Sequence, residues 1–121
     1  MSEGDHRIYH VTTPDVWTAA AARGAYRVST RGRTLAEVGF IHCSYRHQVS
    51  RVADLLYPDA EELLLLVVEP SRLGAPLRVE NLEGGDELFP HIYGPLELAA
   101  VVQTARMRRA EDGSFRLPPG V

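Results

Sequence analysis

Leu63-Leu64-Leu65-Leu66-Val67-Val68-Glu69 decides the fold. Six aliphatic residues follow one another without polar alternation, so the segment reads as a central strand covered on both faces and belongs in the interior of a sheet. It is the longest apolar run in the chain and much too short to cross a bilayer.

Two strand-to-helix units precede it. Ile8-Tyr9-His10-Val11 reads as a short strand, Thr13 as a helix cap and Pro14 as a first helical residue. Val16, Trp17, Ala20 and Ala21 then form one apolar helical stripe, closed by Gly24. Arg27 to Arg33 reads as a loop or weak edge strand, and Thr34-Leu35-Ala36-Glu37 has capping-box spacing for one helical turn stopped by Gly39. Phe40-Ile41-His42-Cys43 is the second strand. Ser44 is placed to cap the next helix, whose buried stripe is Tyr45, Val49, Val52, Ala53 and Leu56 and which Pro58 ends.

After the central strand, Pro70 to Gly74 is a turn and Leu77-Arg78-Val79-Glu80 alternates like a half-exposed strand. Asn81 to Glu87 is an acidic, glycine-containing loop, and Leu88 to Tyr93 returns to sheet. Leu96 to Ala99 suits a turn of helix. Val101, Gln103, Ala105 and Met107 alternate with Val102, Thr104, Arg106 and Arg108 as a last long strand. The tail after Gly113 reads as an appendage. The expectation is one α/β (α+β) domain over residues 1–121, with a frayed leader at 1–6, a tail at 116–121, about six strands in a mixed sheet, and two main helices.

Composition narrows the chemistry. At 121 residues, with 45% hydrophobic and 24% charged residues, the chain has the make-up of a folded domain with a real core. A net charge of -3 supplies no global field for nucleic acid or anionic lipid. All 13 basic residues are arginine, which removes Schiff-base lysines, lysine bases and phosphate-loop lysines. Cys43 is alone, so no intramolecular disulfide and no multi-cysteine zinc site can form. The amino terminus has neither a basic start nor an apolar signal core, so the expected location is cytoplasmic, without a membrane partner.

The chemistry that is left falls to histidine, tyrosine, serine, arginine and carboxylates. Strand alternation points Phe40, His42 and Ser44 one way and Ile41 and Cys43 the other; it also groups Phe89, His91 and Tyr93, and Ile8 with His10. His10, His42 and His91 therefore have the chance to converge, and imidazole serves as acid, base or charged donor near neutral pH. Ser44 at a strand-to-helix junction either caps the helix or, with the helix dipole, meets a phosphate or carboxylate. Tyr93 could donate a hydrogen bond or stack on a flat ring. Glu69 and Glu80 end strands, as carboxylate bases or as rim charges paired with arginine. Cys43 reads as an inert buried thiol, and His6 and His47 as solvated. Arg106, Arg108 and Arg109 form a basic cluster largely cancelled by Glu111 and Asp112.

Three segments, Ile8-Tyr9-His10-Val11-Thr12, Gly39-Phe40-Ile41-His42-Cys43-Ser44 with Gln48-Val49, and Glu87 to Leu96 with Phe89-Pro90-His91-Ile92-Tyr93-Gly94-Pro95, closely resemble the signature segments of the bacterial family called domain of unknown function 952. The resemblance runs from Ile8 to about Phe115, with three separated motifs in order. It implies an ADP-ribosyltransferase-like fold, a split mixed sheet with flanking helices that cradles NAD or a related nucleotide. It implies that His10 holds the nicotinamide-ribose end, while Ile41-His42-Cys43-Ser44 is similar to the His-x-Ser segment of RNA 2'-phosphotransferases. The third motif departs from that superfamily by offering His91, which is not a permanent anion, where a glutamate usually orients the attacking group.

The expected function is an enzyme acting on a nucleotide or phosphorylated small molecule by histidine acid/base catalysis. His42, His91 and His10 are the catalytic candidates; Ser44, Tyr93 and Gln48 are the substrate-binding ones. No cofactor is assigned, and NAD enters as a candidate substrate. The alternatives are a non-catalytic binding or regulatory module and a metal site with the three histidines as ligands.

Overall fold

The computed structural model describes residues 6–82 and 85–121, and the expected frayed leader lies outside them except for His6. The anticipated central strand is β6, Glu62–Val68. It lies between β1 (Ile8–Thr12) and β10 (Val101–Arg108), antiparallel to both. Its side chains alternate between two cores. Leu64, Leu66 and Val68 enter one with Ile8, Tyr26, Ile41, Cys43 and Ile92. Leu63, Leu65 and Val67 enter the other with Tyr9, Val49, Ala53, Tyr57, Met107 and Phe115. Burying an aliphatic side chain of this size contributes about 1.5–3 kcal/mol, so a strand apolar on both faces holds both layers at once.

Between β1 and β6 the chain lays down α1 (Pro14–Arg23), the short strands β2 (Ala25–Tyr26), β3 (Val28–Thr30) and β4 (Arg33–Thr34), α2 (Leu35–Val38), β5 (Ile41–His42) and α3 (Val49–Leu56). Thr34 and Glu37 close the expected capping box, and Gly39 ends α2 in the left-handed region at φ 98°. Thr13 stands at the N-cap of α1 without a side-chain cap bond. Of the α1 stripe, Ala20 is buried and Val16 and Trp17 are half-buried, but Ala21 is exposed. Beyond β6 come β7 (Leu77–Glu80), β8 (Phe89–Ile92) and β9 (Leu96–Glu97). A second three-stranded sheet has the order β5-β8-β7, and the bridge between Tyr9 and Ser44 stitches it to β1.

Two expectations of architecture are corrected. The ladders among the described residues are all antiparallel, so the sheet is divided but not mixed in strand direction. The strand count among the described residues is ten rather than about six, because β2, β4, β5 and β9 are two-residue pieces too short to carry a periodic signal. The carboxyl-terminal appendage is corrected too. Phe115 is fully buried, its N–H donates to Asp54 at 2.8 Å, and Leu117 and Val121 pack on the same core. Among the described residues no helix is long and apolar enough to cross a membrane.

Candidate functional site

Residues opposite one another in a ladder share a face. In the second sheet His42 lies opposite His91, and His91 opposite Arg78, while Ile41, Ile92 and Leu77 form the neighbouring row. The isoleucine row is sealed into the first core, so the histidine row faces outward. Aromatic rings crowd that outer face. Phe40 stacks on His91 with ring centres 4.1 Å apart, His42 lies 4.9 Å from Phe89 and 5.4 Å from His91, and Tyr93 lies 5.4 Å from Phe40.

Glu80 organises this face from the end of β7. Its carboxylate accepts from His91 Nδ1 at 3.0 Å and from the Tyr93 hydroxyl at 2.5 Å. A carboxylate only accepts, so the His91 proton must sit on Nδ1, which makes Nε2 the lone-pair nitrogen when the ring is neutral. The Tyr93 hydrogen bond, and then that of His91, holds the Glu80 carboxyl below its ordinary range; the same bond to Glu80 pushes the Tyr93 hydroxyl up. The Arg78 guanidinium lies 4.9 Å above the centre of the Tyr93 ring. Of the imidazoles here, His42 is half-buried whereas His91 has no exposed surface.

His10 belongs elsewhere, which corrects its placement with the other two at the rim of a substrate pocket. It is 3% exposed, its Nδ1 donates to the His42 carbonyl at 2.7 Å, and its Nε2 lies 2.8 Å from the Tyr26 hydroxyl, itself 2.9 Å from Thr12 Oγ1. Burial pushes its pKa down to about 4, so the ring is neutral. Both nitrogens are thereby committed. No trio of histidine, cysteine or acidic side chains is poised for a metal among the described residues, which removes the three-histidine metal site.

His10, His42 and Ser44 do line one cleft, together with Ser29, Thr30 and Val52, but its volume is about 10 Å³. That is room for one water and not for a nucleotide. The hydroxyl of Ser29 is buried there without a hydrogen-bond partner.

Ser44 does not cap a helix. Its N–H and C=O pair with Tyr9 at 2.7 and 2.8 Å, a three-residue 3-10 turn at Arg46–Gln48 comes next, and α3 starts only at Val49. The expected anion cradle is therefore absent from this junction. Gln48 is likewise spent on structure: its carbonyl accepts from Tyr45 N–H, and its amide donates to Glu87 and to the Leu88 carbonyl. Cys43 is buried and its thiol pushed up by that burial, an inert core residue. His6 is not simply solvated, since its Nε2 lies 2.7 Å from a Glu69 carboxylate oxygen.

Sequence reasoning missed Tyr26, Ser29 and Arg78. Only Arg78 left a signal, because it shares strand parity with Glu80 in the alternating run Leu77 to Glu80. For the other two, nothing in the linear pattern marks a tyrosine aimed at His10 or a serine facing a void.

Among curated proteins none matches the chain. The crystal structure of protein CC0527 from Caulobacter crescentus is similar at 33% identity, covering 92% of this chain and 94% of that one, with a TM-score of 0.78. A double-mutant form of CC0527 matches at 32% identity and 0.78 over the same shares, and its solution structure at 33% and 0.76, covering 92% of each chain. A family model matches residues 11–104, most of the chain and both histidine-bearing strands of the outer face, so the chain belongs to the family described as protein of unknown function (DUF952).

Proposed function

We propose that the outer face of β5, β8 and β7 binds a nucleotide or phosphorylated small molecule, and that His42 acts on it as the acid/base group. The observation that carries this reading is the Glu80 carboxylate, which fixes the His91 tautomer and the Tyr93 hydroxyl one strand away from His42. An ionised carboxylate behind an imidazole is the arrangement that sets proton position in histidine catalysis. His91 is sealed under Phe40, so its part is positioning rather than contact with substrate. Phe89, Phe40 and Tyr93 offer ring faces for a planar base, and Arg78 supplies the positive charge a phosphate requires.

The same reading fits an ADP-ribosyltransferase-like transferase with NAD as its substrate. The third motif has His91 where the orienting glutamate usually stands, yet Glu80 brings a carboxylate to His91 from the neighbouring strand. The test is calorimetry with NAD, ADP-ribose and AMP on wild type, His42→Ala, Arg78→Gln and Glu80→Gln, followed by chromatography of the recovered ligand. The expected result is saturable binding of at least one nucleotide, weakened tenfold or more by Arg78→Gln, and conversion that His42→Ala abolishes. Absence of binding by all three, or equal affinity in wild type and variants, removes the proposal. The burial of His91 favours one other reading, a non-catalytic sensor, because it leaves one accessible imidazole on the face; binding with every ligand recovered intact would select it.

A further inference from the structure

A second concavity lies away from the histidine face, and its walls come from one stretch of chain. The last turns of α1 form one wall with Ala19 and Ala20, and α2 forms the other with Leu35 and Ala36. Ala25 and Val28 form the floor. Gly24, left-handed at φ 88°, turns the chain from the first wall into the floor, and the Leu35 N–H donates to the Arg27 carbonyl at 2.9 Å to pin the second wall. Four of these lining side chains stop at Cβ, which leaves a groove of about 650 Å³, within the size range of small-molecule sites.

The groove's charges are of one sign. Arg23 and Arg27 line it, no acidic side chain does, and neither guanidinium makes a hydrogen bond or ion pair among the described residues. An apolar body would displace water from the alanine, valine and leucine surface, and an anionic head would meet the two guanidiniums. The donors favour a carboxylate over a phosphate. The Thr34 hydroxyl on the lining is spent on Glu37 in the capping box, so the two forks are the donors, enough for two carboxylate oxygens but few for a dianion that loses more hydration.

We infer that this groove is a binding site for a medium-chain organic carboxylate, with the chain between the alanine-bearing walls and the head between Arg23 and Arg27. The probe is octanoate, titrated into the full chain by calorimetry and by amide NMR, beside octanamide as the uncharged analogue and acetate as the head alone. Saturable octanoate binding is expected, with the largest amide shifts at Ala20, Arg23, Ala25, Val28 and Leu35 and affinity at least tenfold above that of either control. The R23Q/R27Q double variant, changed at two exposed positions, should keep its thermal midpoint and lose tenfold or more in octanoate affinity. Shifts centred elsewhere, octanamide binding as tightly as octanoate, or an unchanged affinity in the double variant each overturn the inference. The histidine-face variants test a separate surface, so the two proposals stand or fall independently.

Discussion

His10 and His91 are the same side chain with different partners. His91 meets a carboxylate, whereas His10 meets a carbonyl, a phenol and the first core, and burial there holds its pKa down at about 4. The folded-state value lies below that of the unfolded chain, so between pH 6.5 and 4 the unfolded state binds the extra proton. Stability from this residue is therefore complete above that window and is lost as pH falls through it. A drop of about 2.5 pH units corresponds to about 3 kcal/mol, of which about 2 kcal/mol is lost between about pH 7 and 5. Asp59 and Glu69, held down near 2 by Arg31 and by His6, stay ionised in the fold across that interval. Urea unfolding at neutral pH and at about pH 5 should show this loss in wild type and little of it in His10→Asn; parallel losses in both would refute the assignment.

At the scale of elements, the last strand and the segment beyond it show how local pattern gives way to packing. β10 carries an irregularity between Val101 and Gln103, so Val101 packs on the first core while Met107 faces the second, against the simple alternation that puts both on one side. The chain then turns at Ala110 to Gly113 and returns Phe115 opposite Arg109. Arg109 is no free surface cation: it donates to the carbonyls of Tyr57, Pro58, Ala60 and Gly113 and lies 4.2 Å over the Phe115 ring. Phe115→Ala opens a cavity in a closed core, and the expected loss is about 3–5 kcal/mol, read from the urea midpoint. A change below about 1 kcal/mol would mean that the segment does not help to hold the second core.

For the whole molecule, β6 divides the interior and unites it. Because alternate residues of one strand serve the two cores, neither core can dissolve while the other persists. Trp17 reports on the first core and Met107 on the second, so urea curves from tryptophan fluorescence and from the methionine methyl resonance should coincide; separated midpoints would show two units. The sequence by itself determined what depends on neighbours along the chain: the aliphatic run of β6, the Thr34–Glu37 box closed by Gly39, and the parity that puts Phe40 with His42 on one face of its strand and Phe89 with His91 and Tyr93 on one face of theirs. Only the tertiary structure decided that His10 turns inward to Tyr26, that Ser44 pairs with Tyr9 instead of starting a helix, and that Glu80 stands behind His91. Periodicity fixes the face on which a side chain emerges, but the partner that it meets there is set by strand order and register, and these join residues many positions apart.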